Sequence, residues 1–560
     1  MAKQYSEATM QRNSPGGILS WLFDSQAGAQ YRLIPRWLLL RALAAIYFSA
    51  FYSLLFQVRG LIGPHGILPA SQYLDAVTHA LGPLRFWFAP TLLWLSSSTA
   101  MLMALCWIGL LASLAALFNL WPRLSFILCF VCFLSFVAAA GDFSGYQSDG
   151  MLLEAGFLAL FFSPKGLRPG WGASSPPSRA SLFLLQWEWF RIYFESGMVK
   201  LLSGDTEWRN LTAMDEYYQN GPLPTWVGWY VQHLPHWFHL STAAATLLLE
   251  LVLVFMLFLP RRVRIIGFLI VTPWEIGVIL TANYTFLNYL VLALGVLLLD
   301  DRTLHHFVPK FMRPPVLNRG EDGLPEPEAP LSIFASQSDD SAAPVSVAKR
   351  RSLLQFDAMR MAVTAVLLTW IAYATTAEMI LMPLRSLPLP LSPVRALEPF
   401  RIANQYGLFA VMTRGRYEIE FQGSNDGQTW TPYPFRYKPQ VLNERPGIYA
   451  PYQPRFDWNL WFASLGDWRQ NNIVPYTEER LLANDADVLA LFRSNPFSAA
   501  PPKYVRAVLW QYWFTSMSEK RATGNWWRRD LLGLYAPVLI RTSENKFAVA
   551  EWPQPLPPHN

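Results

Sequence analysis

The chain has 560 residues, of which 52% are hydrophobic and only 15% charged, and its mean hydropathy is +0.19. That composition excludes an ordinary soluble protein and indicates a polytopic membrane protein. The formal charge of +6 does not argue for nucleic acid, because membrane proteins collect their excess Lys and Arg in cytoplasmic loops.

Nine apolar segments are long enough to read as spans: 37–56, 91–118, 124–140, 150–163, 181–202, 241–259, 264–280, 284–299 and 361–382. No cleavable signal peptide precedes them, so the first is expected to remain as a helix. With the N-terminus inside, the inner segments carry 19 Lys and Arg and the outer loops 3. This asymmetry sets the direction. Residues 1–36 are then a cytoplasmic N-terminal segment and 37–382 the transmembrane domain. Within it, 314–352 form a flexible cytoplasmic linker, polar and without hydrophobic periodicity, that ends in Lys349-Arg350-Arg351. Cys106, Cys129 and Cys132 all fall in apolar runs, so the Cys129–Cys132 spacing reads as helix packing rather than a redox motif.

Residues 383–560 form an extracytoplasmic domain. After a Pro-rich stretch, Tyr417-Glu-Ile-Glu-Phe421 alternates as a strand should, Asn425-Asp-Gly427 supplies a turn, and 429–437 is expected to return as a second strand. Segments 457–465 and 476–494 read as helices and 504–515 as a strand. The fold class is thus a polytopic α-helical membrane protein of about nine spans with a C-terminal β-rich α+β soluble domain.

Segment 187–200 places Glu188, Arg191, Glu195 and Lys200 in an otherwise apolar stretch. Each charge at bilayer centre costs about 2.5–3.5 kcal/mol on insertion scales, so the four must pair or form a site. Glu188, Arg191 and Glu195 share one helical face, while Lys200 sits near the outer end. One reading is a Glu-Arg-Glu pairing that holds helices together, with Lys200 snorkelling to the interface. The other is an outward-facing pocket in which Lys200, with Glu195, Arg191 and Glu154 nearby, handles protons. Glu154 needs a partner, for which Arg191 and Lys200 are candidates. Glu275 lies in the seventh span, and Asp142 and Asp149 bracket an outer loop, Asp149 being a candidate N-cap. Loop 203–239 is rich in Trp and Tyr and reads as an amphipathic segment at the membrane surface. Its His233, His236 and His239 have a spacing that invites zinc, but Pro235 interrupts the run. Intramembrane charges could also line a transport path, although no paired half-repeats are visible.

Several blocks resemble the lipase maturation factor family. They are Asp142-Phe-Ser-Gly-Tyr-Gln-Ser-Asp-Gly-Met-Leu-Leu-Glu-Ala-Gly-Phe157, Phe190-Arg-Ile-Tyr-Phe-Glu-Ser-Gly-Met-Val-Lys200, Trp208-Arg-Asn-Leu-Thr-Ala-Met214 and Pro222-Leu-Pro-Thr225. Tyr417-Glu-Ile-Glu-Phe-Gln-Gly-Ser-Asn-Asp-Gly427, Ala450-Pro-Tyr-Gln-Pro-Arg-Phe-Asp-Trp458 and Asn495-Pro-Phe497 continue the likeness in order. The resemblance implies a membrane-embedded maturation factor whose soluble domain meets a secreted, lipase-like client. It marks Asp142, Asp149, Trp208, His233, His236, Arg455, Asp457 and Trp458 as candidate binding residues. It names no cofactor, and the expected partners are the client and membrane lipids, not nucleic acid. The lack of cysteines outside the spans favours a bacterial inner membrane over the ER membrane, although Asn210-Leu-Thr212 is a glycosylation sequon. More locally, Phe190 to Lys200 with Glu207-Trp208 and Ala213-Met214 is similar to vitamin K-dependent γ-glutamyl carboxylase. That similarity implies an alternative: a membrane enzyme using Lys200 as base on a lipid-like or quinone substrate or cofactor.

Overall fold

The computed structural model describes residues 15–23, 28–309, 311, 313–314, 347–543 and 546–556. The N-terminal part is a helical bundle: α1 (Leu33–Leu55), α2 (Thr99–Leu117), α3 (Pro122–Val137), α4 (Gln147–Phe162), α5 (Arg179–Leu202), α6 (His236–Leu251), α7 (Arg261–Thr281), α8 (Leu287–Gly295) and α9 (Val347–Leu381). Five helical stretches are long and apolar enough to cross a membrane: 33–55, 99–117, 236–258, 261–281 and 358–381. Helices α3 and α8 are shorter but equally apolar. Helices α4 and α5 carry the charges and occupy the centre of the bundle, where most of their residues are buried. Such burial is what intramembrane charge requires.

The loops gather at two ends. At one, α1 receives its cap from far along the chain: Asp301 accepts from the backbone N–H of Leu33 (3.1 Å) and Ile34 (2.7 Å). These are orphan donors of a first helical turn. Arg32 donates to the carbonyls of Leu297 and Leu299, and Arg36 to those of Trp171, Gly172 and Ser175. Arg123 does the same for Ser163 after α4. Arg32 and Arg123 thus satisfy carbonyls at helix C-terminal ends, where cations are favoured, while Arg36 ties down the loop at 171–175. Helix crossings are close: a Cβ on Gly156 would lie 2.0 Å from the Tyr47 hydroxyl, which donates to Leu152 O.

The opposite end carries the C-terminal domain. Its sheet is antiparallel throughout, in the order β2-β1-β3-β5-β6 with β4 also on β3. The strands are β1 (Arg416–Ser424), β2 (Thr431–Pro432), β3 (Tyr504–Phe514), β4 (Trp527–Leu534), β5 (Val538–Ser543) and β6 (Lys546–Glu551). Helices α10 (Arg455–Ser464) and α11 (Ile473–Leu482) pack on β1 and β3.

Several expectations change in detail. The expected strand 429–437 pairs only over Thr431–Pro432, because Pro434 and Pro439 follow and Pro lacks the N–H a ladder needs. Segment 476–494 is two helices, 473–482 and 486–489, broken at Asn484, whose φ is +55°. Alternation in β1 suggested one solvated face, yet all nine residues are buried. Glu418 there contacts Arg416 of the same strand and Lys438, and Glu420 contacts Arg529 of β4, so cations pair the acids of the polar face. Loop 57–90 is mostly helical, over 58–62, 70–81 and 85–88. It exposes Leu84, Phe86, Trp87 and Phe88, the side chains of an interfacial segment. The expected cytoplasmic segment 1–36 is described only in part. Of the expected linker 314–352, residues 315–346 lie outside the described residues, and the α9 backbone begins inside that range at Val347.

Asp457, the first-turn acid of α10, is buried and accepts from the backbone N–H of Tyr437 (3.2 Å) and Lys438 (3.1 Å). Burial pushes its carboxyl up to about 6, against the opposing pull of those N–H groups and Lys438. A carboxyl raised in the folded state binds its proton there first. Stability from this group therefore falls as pH rises through about 4 to 6, then levels off, by about 3 kcal/mol at most. Asn can accept the same two bonds without ionising. Thermal unfolding of the full chain in detergent should show Asp457→Asn gaining on the parent between pH 4 and pH 7. A pH-independent difference would contradict this account.

Candidate functional site

Helix α5 starts at the Ser178 cap, whose hydroxyl accepts from Ser181 N, and runs to Leu202. Its Glu188, Arg191 and Glu195 are fully buried. Arg191 pairs with Glu154 of α4 and lies 4.0 Å from Glu195 one turn on. Of the two partners considered for Glu154, Arg191 is the one it has.

The charges have a further partner that the sequence conceals. An extended segment, 401–412, follows α9 and lies across the bundle end. Arg191 Nη1 donates to Asn404 O at 2.6 Å. Glu154 Oε2 accepts from Asn404 N (3.0 Å) and Nδ2 (3.2 Å). Glu195 Oε2 accepts from Tyr406 N at 2.6 Å. Gln147 exchanges two bonds with Gly407, Trp208 Nε1 donates to Phe409 O (2.8 Å), and Asp205 accepts from Met412 N (2.7 Å). Gly150 is required there, since a Cβ would come within 2.7 Å of Asn404 Oδ1. An irregular segment outside any sheet thus has much of its backbone satisfied by side chains of α4, α5 and the loop after α5. Glu154, Arg191 and Glu195 hold the structure together.

Lys200 is separate from that knot. It is 2% exposed and does not snorkel, a correction to the interfacial reading. Its Nζ contacts both oxygens of Glu250 (2.8 and 2.9 Å) and Ser196 Oγ (2.7 Å), and sits 5.1 Å from the Trp208 ring centre. Glu250 escaped the sequence reading although it lies in a predicted span; the rule that flagged Glu154 would have flagged it too. Glu275 accepts from Tyr193 Oη (2.7 Å) and Asn288 Nδ2 (2.5 Å). Lys200, Glu250 and Glu275 all line a cavity of about 330 Å³, walled by α5, α6, α7 and α8 and roofed by Trp208, Tyr217, Tyr218 and Phe409.

The other candidates divide between docking contacts and surface. Asp149 is not the N-cap of α4, which begins at Gln147. It takes a bidentate ion pair from Arg455 at 2.7 and 2.8 Å, and Arg455 also donates to Phe143 O. Trp458 packs edge-on to Tyr146 at 5.3 Å. These contacts mount α10 on the bundle. Asp142 is exposed and apart from them. The three histidines diverge: His233 lies between Trp229 O and Thr515 O, His236 against Asp215, and buried His239 beside Tyr218. Among the described residues, no three His, Cys, Asp or Glu side chains gather as metal ligands. Loop 203–239 is less superficial than expected, for Trp208 and Trp229 are buried beneath the C-terminal domain. Cys106, Cys129 and Cys132 are free and buried in the bundle.

Removing Arg191 would leave two buried carboxylates facing a strand carbonyl, at a cost of about 3–5 kcal/mol. Arg191→Ala should therefore abolish accumulation of folded protein. Arg191→Lys, which keeps the charge without the fork, should fold with a lowered midpoint. Size-exclusion and melting profiles in detergent check this; a stable, well-folded Arg191→Ala would refute the structural role.

Comparison with known proteins agrees with this arrangement. Residues 34–306 match a family model described as the lipase maturation factor transmembrane domain, and 402–537 one described as its C-terminal domain. Lipase maturation factor 1 of Bos taurus is 31% identical over 545 residues, covering 94% of this chain and 92% of its own. Lipase maturation factor 2 of Gallus gallus is 32% identical over 581 residues, covering 90% and 81%, and lipase maturation factor 1 of Homo sapiens is 30% identical, covering 94% and 91%. No solved structure matches. These matches lend no support to the carboxylase-like reading of Lys200. With both domains matched in order and relatives aligned over nearly its whole length, this integral membrane protein belongs to the lipase maturation factor family.

Proposed function

We propose that the protein is a membrane-embedded factor that assists maturation of a secreted, lipase-like client, and that the C-terminal domain presents the client-binding surface. The colinear match of both domains to proteins named for lipase maturation carries this reading. The domain is firmly mounted, so its free surface is a fixed platform. On that surface Leu531 of β4, Val549 of β6 and Trp552 just after it are exposed apolar side chains. They suit recognition of a client whose own apolar surface is not yet buried.

Orientation follows from loop charge. With nine spans and the excess of Lys and Arg inside, the N-terminus is cytoplasmic and the C-terminal domain extracytoplasmic in this reading. All three cysteines lie in the bundle, so the domain needs no oxidising compartment for its fold. This supports a bacterial inner membrane with a periplasmic domain; the alternative is the ER membrane with a luminal one.

Two experiments test the proposal. Asp426→Cys should react with a membrane-impermeant maleimide in intact cells or sealed, right-side-out vesicles, and Arg168→Cys only after permeabilisation; the reverse pattern would invert the topology. Leu531→Asp and Trp552→Asp should leave the melting profile intact. In a secretion assay for an associated lipase they should lower active client at least about fivefold, the loss expected of contact residues worth about 1 kcal/mol each. Unchanged client output from the double variant would remove this surface from the reading.

A further inference from the structure

The cavity beside Lys200 is not needed to mount the C-terminal domain, and its shape and polarity are specific. Helices α6 and α7 are joined through a 3-10 turn (Leu253–Phe258) and Pro260, yet they hardly touch along their lengths. Helix Trp226–Gln232 closes the gap at the other end by packing on α7. Between these two bridges the helices face each other across the cavity. Phe238, Thr242, Thr246 and Glu250, spaced four apart, form one stripe of α6, and Trp274, Gly277, Val278 and Thr281 the opposing stripe of α7. Both helices lie at the bundle periphery: Leu248, Ile276 and Leu280 are exposed apolar side chains of the kind that face lipid. Pro273, which also lines the cavity, interrupts the hydrogen-bond ladder of α7 and lets its wall deviate. The result is a slot between two helices whose other faces carry exposed apolar side chains.

The polar groups at its inner wall select by charge. Lys200 is the cation of the lining, and its ammonium protons are directed to Glu250 and Ser196. Glu250 and Glu275 are carboxylates that retain acceptor capacity beyond the bonds they receive. Glu250 already neutralises Lys200, and what remains to be matched at the wall is acceptor sites. A fatty-acid carboxylate or a phosphate would meet repulsion and would have to break the Lys200–Glu250 pair. A hydroxyl can donate without disturbing it. A volume of about 330 Å³ lies at the small end of the ligand-site range of about 300–1,000 Å³, which suits one acyl chain rather than two.

We propose that this slot binds a neutral, single-chain lipid bearing hydroxyl groups, of the monoacylglycerol class. The chain enters between α6 and α7, and the hydroxyls donate to Glu250 or Glu275. The inference goes beyond the maturation role, and its test reads bound lipid rather than client secretion, so the two stand or fall separately.

Gly277 provides a clean probe. It sits on α7 at the slot, and a Cβ there would meet nothing within 4 Å, so a larger side chain enters open space. The full-length protein would be reconstituted in phosphatidylcholine nanodiscs with a monoacylglycerol carrying a photoreactive group in its acyl chain. Cross-links should map to α6 and α7. Unlabelled monoolein should compete, whereas oleate and lysophosphatidic acid should compete about tenfold less well. Gly277→Leu should keep the parent's melting profile and lose labelling about tenfold. If Gly277→Leu misfolds, Thr246→Leu fills the same slot from α6 and carries the comparison. Labelling elsewhere, equal competition by oleate, or undiminished labelling of a folded slot-filling variant would overturn the proposal.

Discussion

The Arg191 guanidinium is the contact on which the rest of the architecture depends. It lies fully buried at the centre of the bundle, between a carboxylate from α4, a carboxylate one turn along α5, and the carbonyl of Asn404. A buried charge is tolerable only when paired and hydrogen-bonded, and here the pairing is completed by backbone. The backbone in question belongs to a segment more than 200 residues downstream. Bundle and strap therefore satisfy each other: the strap gains partners for its N–H and C=O groups, and the bundle gains neutralisation of its internal charge. Neither is complete without the other, so the transmembrane and C-terminal parts form a single structural unit.

The same helix serves two purposes along its length. Along its middle, Arg191 and Glu195 bond the 401–412 segment. One turn further, Lys200 leaves that network, pairs with Glu250 on α6, and faces a cavity. The change follows from where α6 and α7 diverge. Where helices pack closely, side chains of α5 meet protein; where they separate, the same face meets open volume. Polar groups placed at such a boundary are costly unless they hold structure or ligand, and Glu275 with its Tyr193 and Asn288 donors is held ready in the same way.

Three further contacts fix the C-terminal domain against the membrane. Arg455 and Asp149 form a buried bidentate pair; Arg416 of β1 donates to the carbonyls of Gln219, Gly221 and Pro222; and Asn283 bonds Leu223, Gly447, Tyr449 and Ala450. All three involve backbone as well as side chains, which sets orientation more firmly than side-chain ion pairs alone. A domain mounted this way cannot swing freely.

How much of this was legible before folding depends on the range of the interaction. Hydropathy and loop charge are properties of local windows, and they sufficed for the helical bundle, the separate C-terminal sheet and the strand pattern at 417–421, because a bilayer and a pleat each impose a length and a period. The anomaly of charge in 187–200 was equally plain, since its cost does not depend on neighbours. Its meaning was not, because the groups that give it meaning are Asn404, Tyr406 and Glu250, which no spacing rule connects to Arg191, Glu195 or Lys200. Likewise the alternation at 417–421 could not reveal that Lys438 and Arg529 from elsewhere in the domain would pair with Glu418 and Glu420. The sequence by itself determined that this chain lives in a membrane, that a helical bundle precedes a β-rich domain, and that its fifth helix is exceptional. Only tertiary structure decided that Arg191 and Glu195 are bonded into the scaffold while Lys200 borders a cavity. Pairing of buried charge is a long-range property, fixed by which distant segments the fold brings within hydrogen-bond reach.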